Sequence, residues 1–154
     1  MTKNFAFPST NQPTYGGIES RQGDFAELLF MQHATLHGYE EMFPFSKNSA
    51  FDVVLYTAQR SFLRVQVRST GFLNTHDRYG MSIMYGVDKK KRFTPELVDF
   101  FAAYIVPHNV WYLIPASEWK GRCKFFFRPH RPDNDPCARF REVWHLLSSP
   151  ALAA

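Results

Sequence analysis

The sequence of 154 residues holds only two cysteines, Cys123 and Cys137. Two in a chain this long do not make a secreted disulfide scaffold. No stretch approaches 18 consecutive apolar residues, and the opening MTKNFAFPSTNQPTYGG has no apolar targeting core. These absences predict a soluble, cytoplasmic protein with no signal peptide and no membrane partner. There is no GxxxxGK[ST], GxGxxG or GxSxG, so nothing supports nucleotide hydrolysis or an α/β-hydrolase. His33 and His37 have the spacing of a helical metal pair, yet the Glu of H-E-x-x-H is missing between them. That argues against a zinc protease and leaves two half-buried helix residues. No internal repeat occurs, and only the first 18 residues are compositionally biased.

Apolar residues make up 45% of the chain, enough for a core with no metal or disulfide staple. Aromatics reach 17%, with sixteen Phe. They can fill the core, stack on bases or bury a subunit interface, the last with Trp119, Phe140 and Trp144. A net charge of +4 permits an acidic partner without demanding one. Residues 1–18, rich in Pro, Gly, Thr and Asn, read as an extended or poorly ordered arm, and 19–150 as one domain.

From Glu19 to His37 the pattern is helical, with Gly38 suited to follow the last turn. YEEMFPF (39–45) reads as an edge piece because of Pro44. FDVVLYT (51–57) and FLRVQVR (62–68) read as an antiparallel hairpin, and 69–80 as a long polar loop. MSIMYGV (81–87) and KFFFRP (124–129) are further strand expectations, with a second hairpin from 98–105 and 110–116. Asp135 and Pro136 predict the start of a helix running to about Leu147. The order implies one α/β domain with a mixed sheet and flanking helices.

In FLRVQVRST (62–70), Leu63, Val65 and Val67 share one parity, and Arg64, Gln66 and Arg68 the other. If the two strands pair, Asp52 lies near 66–68 at the open end of the hairpin. A carboxylate, a carboxamide oxygen and a cation would then converge, with Glu27 one helix earlier completing the set. Such a set is how a magnesium-dependent phosphodiesterase site is made: hard oxygens hold the ion, and a cation steadies the charge on the phosphate. Each residue alone also has an ordinary reading, as the wet face of a half-exposed strand or a turn cap.

The run GDFAELLF…HGYEEMFPF…SAFDVVLY…FLRVQVRST resembles the PD-(D/E)XK nuclease superfamily, and within it the branch of group I intron-encoded homing endonucleases of cyanobacterial type. VDFFAAYI, WYLIP and FREVWHLL extend the likeness over most of 22–147. The resemblance implies a restriction-endonuclease-like α/β/α core with a mixed, mainly antiparallel sheet. It also implies a site-specific DNA endonuclease using Mg²⁺, with Mn²⁺ able to substitute, and a homo-oligomer, dimer or tetramer, acting on double-stranded DNA. Carried over, Glu27 matches the helix acid, Asp52 the metal-binding Asp, and Gln66 the third metal position. Arg68 stands where the family has its Lys. Arginine stays charged and is a poor general base, so three readings stay open: an active nuclease, a DNA-binding module derived from one, and a Holliday junction resolvase.

Lys47, Asn48 and Ser49 precede Asp52 at the expected mouth of the site. Lys89, Lys90, Lys91 and Arg92 can grip phosphates or simply form a solvated face. Arg122, Lys124 and Arg128 interleave with aromatics, a mixture that suits DNA backbone contacts or the rim of a core strand. Cys123, His130, Cys137 and His145 could form a zinc site on paper, but C-x6-H-x6-C-x7-H matches no standard finger or ribbon.

Overall fold

The computed structural model describes residues 18–46, 49–86, 91–119 and 121–148. The arm call therefore falls almost wholly outside the described residues, as do Lys47, Asn48, Lys89 and Lys90. The chain opens with α1 (Ile18–Leu36), followed by strands β1 (Glu40–Met42), β2 (Val53–Tyr56), β3 (Phe62–Thr70), β4 (Tyr79–Ser82) and β5 (Met84–Tyr85). Then come β6 (Lys91–Arg92), β7 (Phe100–Ile105), β8 (Val110–Pro115) and β9 (Lys124–Phe127).

Helix α1 buries Ala26, Phe30 and Ala34 completely, a spacing of four that lines one face. It ends where Gly38 adopts φ 83°. The Tyr39 N–H then returns to the Ala34 carbonyl at 3.1 Å, and the Gly38 N–H to that of Thr35 at 2.9 Å. This is the left-handed closure that glycine allows without a Cβ clash. His37 lies flat on Trp144, with ring centroids 4.9 Å apart.

The central sheet has the order β1-β2-β3-β7-β8. β1–β2, β2–β3 and β7–β8 are antiparallel, and β3–β7 is parallel, so the expected mixed, mainly antiparallel sheet is present. Both expected hairpins form, and β1 takes the edge. One face packs on α1 through Val53, Leu55, Leu63, Val65 and Val67. The other packs, over β7 and β8, on a two-stranded ribbon of β4 and β9. That double cover explains why every residue of β7 and β8 is buried.

Two expectations fail at the C-terminal end. No α-helix runs over 136–147; short 3-10 turns occupy 138–140 and 144–148. β8 is the sheet's last strand, and its free backbone groups need partners. The chain supplies them: the Glu142 N–H donates to the Trp111 carbonyl at 2.9 Å, and the Trp111 N–H to Glu142 Oε1 at 2.6 Å. Glu142 sits at φ 52°, which no continuing helix permits. Asp135 forms a local turn instead, accepting the Cys137 N–H at 3.0 Å and the Tyr112 hydroxyl at 2.5 Å. The aromatic interface is also corrected, because Trp119, Phe140 and Trp144 are buried inside this one chain.

Candidate active site

Alternation along β3 sends Leu63, Val65 and Val67 into the helix-side core and Gln66 and Arg68 to the opposite face. The β4–β9 ribbon covers that face over β7 and β8, and a cleft of ≈ 430 Å³ opens beside β3. Ser49, Ala50, Asp52, Gln66, Arg68, Tyr85, Phe93 and Leu97 line it.

Asp52 stands one residue before β2. Its backbone N–H donates to the Val65 carbonyl at 2.9 Å. Its Oδ2 accepts the Val67 N–H at 2.8 Å and the Gln66 amide at 2.5 Å. Gln66 is only 8% exposed, and its carbonyl oxygen accepts no hydrogen bond among the described residues. Arg68 reaches the Met84 carbonyl at 3.5 Å and lies 5.9 Å from the Phe93 ring centre. Its Nε is buried without an acceptor among the described residues.

Glu27, on α1, does not line the cleft, but its carboxyl lies near enough to Asp52 for the two charges to interact. Burial, then the charges of Asp52 and Asp24, push its carboxyl from 4.5 up to about 7. Burial also raises Asp52, against the opposing pull of the Val67 N–H, Arg68 and Gln66. A carboxyl raised by burial and by neighbouring negative charge, beside a second raised by burial, marks a region that favours a cation. Among the described residues no cluster of three or more His, Cys, Asp or Glu could hold a metal. Two carboxylates and an amide oxygen are too few and too hard for a closed zinc site. They fit magnesium, which uses one or two carboxylates and completes its shell with water and substrate phosphate.

A comparison with family models matches residues 19–147 to the PD-(D/E)XK endonuclease model. The chain belongs to the PD-(D/E)XK endonuclease family. No curated protein matches it. The fold is similar to that of a bacterial homing endonuclease, I-Ssp6803I, with a TM-score of 0.74 and 19% identity, covering 85% of this chain and 93% of that one.

The remaining expected contacts scatter. Ser49 lines the cleft. Lys91 and Arg92 are exposed on the β5–β6 hairpin, where Lys91 pairs with the cleft residue Tyr85. Arg122 and Lys124 are exposed near β9, and Arg128 donates to the Asn134 carbonyl at 3.3 Å. The paper zinc site does not assemble: Cys123 is exposed, Cys137 is buried, and His130 pairs with Asp77 at 3.1 Å.

Sequence reasoning missed the wall formed by Tyr85, Phe93 and Leu97. It also missed what fixes that wall. The Arg64 guanidinium grips Asp99 through Nε at 3.0 Å and a second nitrogen at 2.9 Å, and also donates to the Pro95 and Glu96 carbonyls. The segment between Phe93 and β7 is thereby tied to β3. Residues 35 apart in sequence gave no local signal of this pairing.

Proposed function

We propose that this PD-(D/E)XK family member is a site-specific, homing-type DNA endonuclease that hydrolyses phosphodiester bonds with Mg²⁺, Mn²⁺ substituting. The observation that carries the reading is the convergence of Asp52, Gln66 and Arg68 in one cleft, with the Glu27 carboxyl close enough to feel the Asp52 charge. Asp52 and Gln66 would hold the ion, with Glu27 assisting directly or through water. When bound, the ion polarises the phosphate and makes a water easier to ionise.

The chain's own residues do the rest. Arg68, permanently charged, stabilises negative charge building on the phosphate rather than taking a proton. Phe93, Leu97 and Tyr85 narrow the cleft on one side and lower its dielectric, which strengthens that attraction. A single such site cuts one strand, so two copies of the chain act on a duplex, most simply under two-fold symmetry.

The test is digestion of a randomised duplex library with Mg²⁺ or with EDTA, using wild type and Asp52→Ala. Cutting by wild type in Mg²⁺ alone is expected; cutting that persists in EDTA or in Asp52→Ala would end the proposal. Arg68 itself favours a second reading, a DNA-binding module that has lost its chemistry. Tight, salt-dependent duplex binding with no cleavage by either wild type or Arg68→Lys selects it. Preference for a four-way junction over linear duplex selects a resolvase instead.

A further inference from the structure

The β4–β9 ribbon turns Tyr79, Met81, Phe125 and Phe127 into the core. Its outward face carries Gly80 opposite Phe126 and Ser82 opposite Lys124. Arg78 stands just outside this ladder, on the parity of Gly80 and Ser82. The Arg78 guanidinium lies over the Phe126 ring, 3.7 Å from its centre. Gly80 makes room for the ring: a Cβ there would sit 3.3 Å from Phe126 Cε1. Arg78 makes no ion pair among the described residues, and its Nε is buried without an acceptor. Its sequence neighbour Asp77 is already taken by Arg131 at 2.6 Å and His130 at 3.1 Å. Lys124 likewise has no acid partner among the described residues.

We propose that the outward face of this ribbon enters the DNA major groove and reads sequence, with Arg78, shelved flat on Phe126, as the specificity-determining residue. This deepens the endonuclease reading and rests on it. Two strands about 4.8 Å apart plus their side chains fit a groove about 12 Å wide. A planar guanidinium fixed in orientation is suited to the two acceptors of a guanine edge. The uncompensated positive face complements phosphate on either side. Position also fits. β5, just after the ribbon, supplies the Met84 carbonyl that Arg68 reaches. Ser82 and Arg78 precede Met84 by two and six residues. At about 3.3 Å per residue and about 3.4 Å per base pair, the reading block lies about 2–6 base pairs from the cut.

The experiment uses the full chain and a randomised duplex library in EDTA. Bound pools of wild type, Arg78→Lys and Arg78→Ala are sequenced, and thermal melting confirms that each variant folds. Wild type is expected to enrich a motif. Both variants should lose about tenfold or more discrimination at one guanine-bearing block, the value of one bidentate pair, and keep the rest of the motif. Arg78→Lys keeps the charge, so its total binding should stay within about twofold of wild type. An unchanged motif overturns the proposal, and so does uniform weakening across all sequences, which marks a phosphate contact only. Wild type that binds duplex without preference overturns the ribbon reading and the site-specificity of the endonuclease but not its chemistry; wild type that binds no duplex overturns the endonuclease reading as well.

Discussion

Asp52 and Val67 meet across the β2–β3 hairpin, where the Asp52 Oδ2 accepts the Val67 N–H at 2.8 Å. Regular pairing of β2 with β3 runs from Tyr56 back to Val53, opposite Val65. The Asp52 side chain therefore supplies the acceptor that Val67 would otherwise lack. That bond fixes the carboxylate between Gln66 and Arg68 and leaves its second oxygen without a hydrogen bond among the described residues. One residue thus completes the pairing at the hairpin's open end and lines the cleft.

Asp52→Asn separates these roles. The amide keeps an oxygen for Val67 but loses the charge that would hold a divalent ion. Cleavage should fall about 10³-fold or more, the equivalent of several kcal/mol of transition-state stabilisation. Because burial disfavours the Asp52 charge, the variant should melt no lower than wild type at pH 8 without metal. Cleavage assays and melting curves check both halves; a variant that cuts normally contradicts the assignment.

Glu27 makes stability depend on pH. Its folded-state carboxyl titrates at about 7 against an ordinary 4.5. The folded protein keeps a proton that the unfolded chain has released, so this stabilisation is complete below pH 4.5 and is lost as pH rises through about 7. Without divalent ions, the melting temperature of wild type relative to Glu27→Gln should fall across that window. Mg²⁺ should recover it at pH 8 in wild type only. A flat difference curve would show that Glu27 is not held as described.

Arg68→Ala should slow cleavage about 10²–10³-fold, the usual effect of deleting one charge-stabilising donor, while duplex binding weakens only slightly. Arg68→Lys should retain most of the rate, since an ammonium can fill the same electrostatic role. A rate unchanged in Arg68→Ala would remove Arg68 from the chemistry.

Asp99→Asn breaks the clamp on the cleft wall. The clamp is partly buried, with Asp99 13% and Arg64 33% exposed at the side chain. The expected cost is about 1–2 kcal/mol in urea unfolding. A double-mutant cycle with Arg64→Ala should recover less than the sum of the single losses. Additive losses would mean the two residues do not act together.

Much of this protein was legible along the chain. Helix and strand periods, Gly38 closing α1, the two hairpins, and the parity that puts Gln66 with Arg68 all follow from steric rules acting over a few residues. The order of Glu27, Asp52, Gln66 and Arg68 carried the family resemblance. The C-terminal segment was misread because its local helical pattern lost to a distant demand, the unpaired edge of β8 that Glu142 satisfies. The aromatic surplus was misplaced for a related reason: counting rings does not say which layer covers them, and Trp119 and Trp144 proved to be core.

Composition and short-range pattern determined the element types, the alternating faces of β3 and the identity of the acids. Tertiary structure alone decided that Asp52, Gln66 and Arg68 share a cleft, that Arg64 ties its wall to β3, and that Arg78 rests on Phe126. The physical reason is that periodicity is set by bonds between near neighbours. Burial, charge pairing and hydrogen-bond satisfaction are settled only when segments dozens of residues apart come into contact.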